Sequence, residues 1–330
     1  MLSYGNVFYS AMASAYRIGH LPDDRWLCVL PLYHVGGLSI LIRAVLYGIT
    51  IDLREKFDAD DINQALTHEP VTLISLVPTM LYRLLETRSE AWNKSLRLVL
   101  LGGAATTPEL MQQCIEQNIP VATTYGLSEA SSQVATTFPN DASRKAGTVG
   151  KPLMFNQVKI VDENGQSQKI GDYGEILVKG MTVMQGYYNN PEATAQTLKD
   201  GWLHTGDIGY LDAEGDLWLV QRRSDLIITG GENVYPAEVE AVLRKHPAIK
   251  EVAVVGIPDP EWGQKVATAI VQAIRNPDAY LDGEQLRLGV KGVDTENLKD
   301  IAAKALQEGV KSATLPERSV DIRVNLNGLK

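Results

Sequence analysis

The strongest constraint on the fold is an alternation of short apolar runs and polar helical segments between Trp26 and Tyr125. The runs are WLCVL, ITIDL, VTLIS, LRLVLL and PVATTYG, and the segments DADDINQALTHE and TPELMQQCIEQN lie among them. Strands that alternate with helices predict parallel pairing, because a parallel connection has to cross over the sheet. We therefore predict an α/β layer over residues 1–146.

Two helix starts can be predicted from single residues. Asp58 precedes the helix expected from Ala59, and Thr107 precedes Pro108 at the start of the next long polar segment. Both Asp and Thr accept hydrogen bonds from the exposed amides of a helix N-terminus, and Pro fits the first helical position.

The pattern changes over residues 147–220, where short strands are separated by turn pairs such as Asn164-Gly165 and Glu214-Gly215. This spacing predicts antiparallel hairpins that form a small barrel or a curved sheet. After a linker at residues 221–225, strands and a helix opened by Pro236 predict a smaller α+β domain over residues 226–330, with a further helix near residues 295–309.

Composition excludes several classes of protein. The formal net charge of -9 argues against a nucleic-acid partner. Cys28 and Cys114 do not form a CxxC pair and lie in apolar or helical surroundings, which is typical of buried free thiols in a reducing compartment. No leader pattern or membrane-length apolar run is present, so we expect a cytoplasmic protein without a membrane span. A homo-oligomer is compatible with the sequence.

Two segments predict a binding site at the carboxyl edge of the parallel sheet. YGLSEASSQ, residues 125–133, places an aromatic ring, hydroxyls and a carboxylate after a strand, and ligands bind parallel sheets at that edge. LLGGAA, residues 100–105, leaves a strand through two glycines that allow a close approach of backbone. Each has a structural alternative: a loop in which Ser128 caps a short helix, and a tight turn without a ligand.

Four polar residues are each open to more than one interpretation. Asp207, in the turn predicted for HTGD, suits two vicinal hydroxyls, and Arg222 suits a sugar or phosphate, but both are also typical of solvated surface charges. His34, in PLYHVGGL, is a candidate pocket residue or a structural histidine. Arg43 interrupts the apolar run LSILIRAVLYG and needs solvent, an acidic partner or an anionic ligand.

Six motifs occur together in one order: PLYHVGGL, LGGAA, YGLSE, GYYNNPEAT, GWLHTGDIGYLDAEG and RRSDLIITGGENVYPAEVE. In this order and spacing the chain, over residues 1–273, resembles the acyl-adenylate-forming superfamily of acyl-CoA synthetases, luciferases and adenylation domains. The resemblance implies an α/β fold with a large AMP-binding domain, residues 1–220, a hinge at 221–225 and a C-terminal lid, residues 226–330. It also implies ATP, Mg2+ and coenzyme A, with a small carboxylic acid as substrate.

The resemblance assigns roles to residues by their place in the motifs. The nucleotide would be held by Gly102, Gly103, Ala104, Tyr125, Gly126, Ser128, Asp207 and Arg222. Glu129 would bind magnesium and act in catalysis together with His34. The acyl group would contact His34, Arg43, Ser131, Ser132 and Gln133. The lid would pivot at Ser224 or Asp225 and bring Gly230, Gly231, Glu232 and Asn233 to the thiol of coenzyme A.

Within the superfamily the chain is most similar to the o-succinylbenzoate:CoA ligases of menaquinone synthesis, in which an arginine at the position of Arg43 contacts the substrate carboxylate. Members frequently have serine where this chain has Gly36. We expect an N-terminal portion with the phosphate loop, and the lysine motif near the C-terminus, to be missing from this sequence. A ligase for a fatty or aryl acid and a non-catalytic nucleotide-binding protein are the alternative hypotheses.

Overall fold

The computed structural model describes residues 1–138, 141, 144–222, 227–229, 232–234, 236–243, 249–259, 263–272 and 320–323. The chain divides into two compact units, Met1–Leu219 and Val220–Lys330. No helix within the described residues is both long and apolar enough to cross a membrane.

Seven strands of the first unit form one sheet, in the order β2-β1-β3-β4-β5-β6-β7. The strands are β1 Arg25–Cys28, β2 Thr50–Leu53, β3 Leu73–Leu76, β4 Leu98–Leu101, β5 Val121–Leu127, β6 Ser132–Thr136 and β7 Lys151–Pro152. Pairing is parallel from β2 to β5 and antiparallel from β5 to β7. The predicted α/β class and parallel sheet are confirmed.

Five helices connect or precede these strands: α1 Tyr4–Ile18, α2 Val35–Tyr47, α3 Ala59–His68, α4 Pro78–Thr87 and α5 Pro108–Glu116. The predicted helix starts are confirmed. Asp58 accepts hydrogen bonds from the amides of Asp60 and Asp61, and Thr107 accepts one from the amide of Leu110.

Both faces of the parallel sheet are buried. Leu27 and Ile74 face a core completed by α3, α4 and α5, whereas Trp26 and Leu73 face a second core that includes Ile40 of α2. Burial on both faces explains why the strands read as continuous apolar runs rather than alternating ones.

The two cysteines are free and buried, as predicted. Burial raises the pKa of the Cys114 thiol to about 11, and burial also raises that of Cys28. Neither thiol is therefore a reactive thiolate at neutral pH.

Antiparallel strands follow in the second half of this unit, as predicted. The elements are β8 Asn156–Val161, β9 Gly174–Gly180, α6 Pro191–Thr197, β10 Leu198–Lys199, β11 Trp202–Leu211 and β12 Leu217–Arg222. The sheet order is β10-β11-β9-β8, and β12 also pairs with β11. Among the described strands no pairing closes the sheet into a barrel.

The second unit contains one sheet and one helix among its described residues. The elements are β13 Ile227–Thr229, β14 Glu232–Val234, α7 Pro236–Leu243, β15 Ile249–Asp259, β16 Gly263–Gln272 and β17 Val320–Arg323. The strand order is β14-β13-β16-β15, with β17 parallel to β16. The helix predicted near residues 295–309 lies outside the described residues.

Candidate active site

Three predicted site segments follow strands of the parallel sheet. His34 comes after β1, Gly102 directly after β4, and Ser128 directly after β5. The strands β4 and β5 are neighbours, with Leu101 opposite Thr123. Because the carboxyl ends of parallel strands share one edge, the topology brings these segments to the same side of the sheet.

The glycines after β4 have a local structural reason. A Cβ atom on Gly102 would lie 2.6 Å from the Cγ2 atom of Thr124 on β5, so the close packing of the two strands requires glycine. Gly103 and Ala104 are exposed beyond this contact. The segment therefore offers open backbone next to the end of β5.

A hydrogen bond joins the parallel and antiparallel sheets at this edge. The hydroxyl of Tyr125, a buried residue of β5, donates to Oδ2 of Asp207 at 2.5 Å. Asp207 is half-buried. The aromatic ring and the carboxylate are thus held together although 82 residues separate them in the chain.

The prediction that Asp207 lies in a turn is wrong. HTGD is part of the ten-residue strand β11, and its pairing with β9 shifts register between His204 and Ile208. Gly206 has a φ of +70°, which a bulge of this kind accommodates at glycine. The bulge leaves Asp207 within hydrogen-bonding distance of Tyr125.

Glu129 lies in a short 3-10 helix, Ser128–Ala130, directly after β5. The alternative in which Ser128 caps this helix is wrong, because Leu127 occupies the cap position and Ser128 is exposed. The half-buried Glu129 accepts a hydrogen bond at Oε1 from the hydroxyl of Tyr187, at 2.8 Å. No Lys or Arg forms an ion pair with Glu129 among the described residues.

Arg43 is a buried cation on α2, with 2% of its surface exposed. Among the described residues, its Nη2 makes one long hydrogen bond, 3.4 Å, to the hydroxyl of Ser132, and its Nε is buried without a partner. The guanidinium carbon lies 5.9 Å from the ring centroid of Trp26. Within the described part of the chain no carboxylate pairs with it, so the expected acidic partner is not found.

Burial lowers the pKa of Arg43, and the field of Tyr47 opposes that effect. The charged form is disfavoured by desolvation and lacks the compensation that an adjacent anion would give. Arg43 lines a small cleft that opens to solvent. Its walls are largely apolar and come from α1, α2 and the start of β6: Leu2, Val7, Ser10, Ala11, Val35, Leu38, Ser39, Ile42 and Ser131.

The three predicted acyl-site residues at the start of β6 point to different partners. Ser132 contacts Arg43 and lies 3.4 Å from the hydroxyl of Ser39. Ser131 lines the cleft, but its hydroxyl donates to the carbonyl of Thr182. The Gln133 amide nitrogen donates to the hydroxyl of Thr136 at 3.0 Å, whereas its Oε1 is buried without a hydrogen-bond partner among the described residues.

His34 stands at the entrance to α2 rather than in the cleft wall. It is the residue before the first helical position, makes no capping hydrogen bond through its side chain, and is exposed. Its ring centroid is 4.6 Å from that of the exposed Tyr33. Two aromatic side chains therefore stand together on the surface after β1.

Several predicted positions lie in the second half of the chain. Arg222 ends β12, and its side chain is outside the described part of the structure. Ser224, Asp225, Gly230 and Gly231 lie outside the described residues. Glu232 and Asn233 are backbone positions in β14, opposite Thr229 and Ile228.

Sequence reasoning missed the two tyrosine contacts to acidic residues. GYYNNPEAT was recognised as a motif, but nothing in it indicates that Tyr187 contacts Glu129. The apolar run around Arg43 did indicate a buried charge, although it did not identify Ser132 as its neighbour.

Known proteins resemble this chain in sequence and fold. The model of the AMP-binding enzyme family matches residues 1–188, and that of the AMP-binding enzyme C-terminal domain matches residues 238–309. The chain belongs to the AMP-binding enzyme family, as the resemblance predicted.

A 2-succinylbenzoate--CoA ligase of Bacillus cereus is 47% identical over 274 residues, 83% of this chain. The chain spans 57% of the length of that relative. The o-succinylbenzoate CoA synthetase of Bacillus subtilis has been solved with the acyl-adenylate intermediate OSB-AMP. It has a TM-score of 0.82 and 38% identity, and the match covers 98% of this chain and 62% of that one. The same synthetase in complex with ATP and a magnesium ion gives a TM-score of 0.81, with the same identity and coverage.

Proposed function

We propose that this chain carries the acyl and nucleotide sites of an ATP-dependent o-succinylbenzoate:CoA ligase of menaquinone synthesis. The observation that carries the proposal is Arg43, a desolvated cation beside an apolar cleft and without a carboxylate partner among the described residues. An aromatic acid with a second carboxylate supplies both an apolar body for the cleft and an anion for the guanidinium. The similarity to 2-succinylbenzoate--CoA ligases supports this substrate.

The nucleotide site follows from the edge shared by β4 and β5. Gly102, Gly103 and Ala104 flank one side of the adenine, and Tyr125 and Gly126 the other. Asp207 accepts hydrogen bonds from the ribose hydroxyls, assisted by Arg222, and Ser128 donates to phosphate. The Tyr125–Asp207 hydrogen bond supports this arrangement, because it fixes a ring and a carboxylate at one edge.

Glu129 fits a magnesium ion that is held mainly by nucleotide phosphates. Mg2+ is usually bound by one or two carboxylates together with substrate phosphates and water. Glu129 offers one carboxylate, and the hydroxyl of Tyr187 donates a hydrogen bond to one of its oxygens. When bound, magnesium would neutralise charge that develops on the phosphates.

The chemistry has two half-reactions. The substrate carboxylate attacks the α-phosphate of ATP to give acyl-AMP and pyrophosphate, and the thiol of coenzyme A then displaces AMP. Arg43 orients the acid by its other carboxylate, and His34 lines the path to the reacting group. The resemblance to the family assigns the hinge to Ser224 or Asp225 and the thioester step to Gly230, Gly231, Glu232 and Asn233. A cytoplasmic location fits these substrates.

A second candidate substrate class is a fatty or aryl acid without a second carboxylate. The mostly apolar lining of the Arg43 cleft favours it, since aliphatic walls accept an alkyl or aryl chain. The two classes differ in what they offer Arg43: only the dicarboxylate supplies it with an anion.

Calorimetric titration with a non-hydrolysable o-succinylbenzoyl-adenylate mimic tests the proposal, with AMP and a fatty-acyl mimic as comparisons. We expect the succinylbenzoyl mimic to bind at least tenfold more tightly than either, because AMP leaves the acyl cleft empty and the fatty-acyl mimic supplies no anion to Arg43. Tighter binding of the fatty-acyl mimic would favour the second class. Absence of binding by all three would overturn the assignment of a ligase site to this chain.

A further inference from the structure

The motif GYYNNPEAT, residues 186–194, leads into α6, and hydrogen bonds within the motif hold its first residues in place. The amide of Tyr187 donates to the hydroxyl of Thr194 at 2.9 Å, and that hydroxyl donates to the carbonyl of Asn190 at 2.8 Å. The side chain of Asn190 caps α6 by accepting from the amide of Ala193. The backbone of Tyr187 is therefore held by its own motif.

The two tyrosines of this motif have different surroundings. Tyr187 packs against the core that includes Tyr125 and Ala130, whereas Tyr188 is 77% exposed. The hydroxyl of Tyr187 donates to Oε1 of Glu129 at 2.8 Å. The same two segments are joined again by the amide of Met184, which donates to the carbonyl of Glu129 at 2.7 Å.

We propose that Tyr187 is a positioning residue that fixes the Glu129 carboxylate for a divalent metal ion bound with nucleotide phosphates. The inference rests on the proposed function and adds to it a residue that acts through Glu129. A phenol hydroxyl directed at one oxygen restricts rotation of the carboxylate. Groups that orient a metal ligand in this way typically contribute about tenfold to a hundredfold in metal affinity.

The phenol suits this role because it remains a donor at neutral pH. A neutral donor also leaves the charge of Glu129 for the metal, which an arginine in its place would cancel.

The test measures the affinity of Mn2+ by electron paramagnetic resonance, with the full chain and a saturating non-hydrolysable ATP analogue. Tyr187→Phe removes one oxygen, and we expect about tenfold weaker Mn2+ binding. Calorimetry without metal should give an affinity for the analogue within about twofold of the parent protein. Tyr188→Phe is the matched control and should change neither value.

A double-mutant cycle distinguishes positioning from a general structural effect. Glu129→Gln keeps an acceptor for the phenol but lowers the charge of the ligand, so it should weaken Mn2+ binding by itself. Adding Tyr187→Phe to Glu129→Gln should produce a smaller further loss than it does in the parent protein, because the charge that the phenol positions is already gone. If a thermal melt shows that Tyr187→Phe is poorly folded, the Mn2+ affinity of Glu129→Gln still tests the Tyr187–Glu129 pair through its acidic member.

Three outcomes contradict the inference, and they are distinguishable. Parent-like Mn2+ affinity of Tyr187→Phe, with nucleotide bound, overturns the role of Tyr187 alone. An undiminished loss in the Glu129→Gln background shows that Tyr187 does not act through Glu129. Failure of the parent chain to bind the analogue overturns the proposed function, and the inference falls with it.

Discussion

Arg43 and Lys145 are two cations of the same unit, with opposite surroundings. Lys145 forms ion pairs with Asp216 at 2.6 Å, Asp212 at 2.9 Å and Glu214 at 3.1 Å. Those contacts raise its pKa, with the hydrogen bond to Asp216 as the largest cause. Burial instead lowers the pKa of Arg43, which has no carboxylate within ion-pair distance in the described residues.

The difference distinguishes Lys145, which stabilises the fold through ion pairs, from Arg43, which we propose binds a ligand. Lys145 has its countercharge supplied by the hairpin between β11 and β12, so it fixes a loop to that hairpin. Arg43 carries the cost of desolvation without that compensation, and a bound anion would supply it. Substitutions at the two positions should therefore affect different properties.

The largest expected effect is on ligand affinity at Arg43. Arg43→Ala should weaken binding of the o-succinylbenzoyl-adenylate mimic at least about tenfold, or about 1.4 kcal/mol, because a charged contact to the substrate is lost. Calorimetry measures the change, and AMP binding should be unaltered. The matched control, Lys145→Met, should leave both affinities unchanged. A parent-like affinity of Arg43→Ala for the mimic would show that Arg43 does not contact the acid.

Thermal stability should show the opposite order: the substitution at Lys145 should affect Tm more than the substitution at Arg43. Lys145→Met should lower Tm, since three neighbouring carboxylates lose their common partner. Arg43→Met should leave Tm equal or higher, because it replaces a desolvated and incompletely partnered charge by an apolar side chain of similar length. Scanning calorimetry of both variants without ligand compares them directly. A lower Tm for Arg43→Met than for Lys145→Met would reverse the comparison.

The Lys145 cluster should also determine part of the response to acid. Burial alone would raise the pKa of Asp212, but hydrogen bonds from Lys145, Trp218 and backbone amides outweigh burial and lower it. A carboxyl with a lowered folded-state pKa stabilises the fold above its unfolded value, ordinarily 3.8, and loses that contribution as the pH falls further. Stability should therefore decline below about pH 4.

Asp212→Asn tests this linkage. Denaturant unfolding between about pH 5 and pH 2.5 should show a shallower decline for the variant than for the parent. Part of the decline should remain, because the pKa of Asp24 is also lowered: burial acts in the raising direction, and hydrogen bonds from Arg97 and its other donors outweigh it. Identical slopes for the two proteins would exclude Asp212 as a contributor.

The smallest expected effect is at Ser132. Ser132→Ala removes the hydroxyl that accepts the 3.4 Å hydrogen bond from Arg43, so the guanidinium loses an orienting contact while keeping its charge. Affinity for the succinylbenzoyl mimic should fall about two- to fivefold, roughly 0.5–1 kcal/mol. A loss as large as that of Arg43→Ala would indicate that Ser132 itself contacts the ligand.

Regular elements and helix caps were predictable because they depend on neighbours in sequence. The strand runs, the Asp58 cap and the Thr107–Pro108 start all follow from side-chain period or local hydrogen bonding. The bulge at Gly206 was predicted as a turn, because glycine in a β-rich segment suits either, and only the register with β9 distinguishes them.

Long-range polar contacts of the candidate site were not predictable. Tyr187 meets Glu129 across 58 positions, and Tyr125 meets Asp207 across 82. Such pairs depend on how segments distant in sequence pack together, and no local pattern of residues specifies that. Arg43 was a partial success: its apolar neighbours indicated a buried charge, but the suggested acidic partner was wrong within the described residues.

On the proposed placement of Glu129 beside the nucleotide phosphates, its hydrogen bond from Tyr187 would bear on which form of nucleotide the protein accepts. A phenol brings no positive charge to the carboxylate, so at that site Glu129 would repel the phosphates of free ATP. A nucleotide that arrives already complexed with a divalent cation would meet attraction instead. The site would then bind the metal complex of the nucleotide more tightly than the metal-free nucleotide.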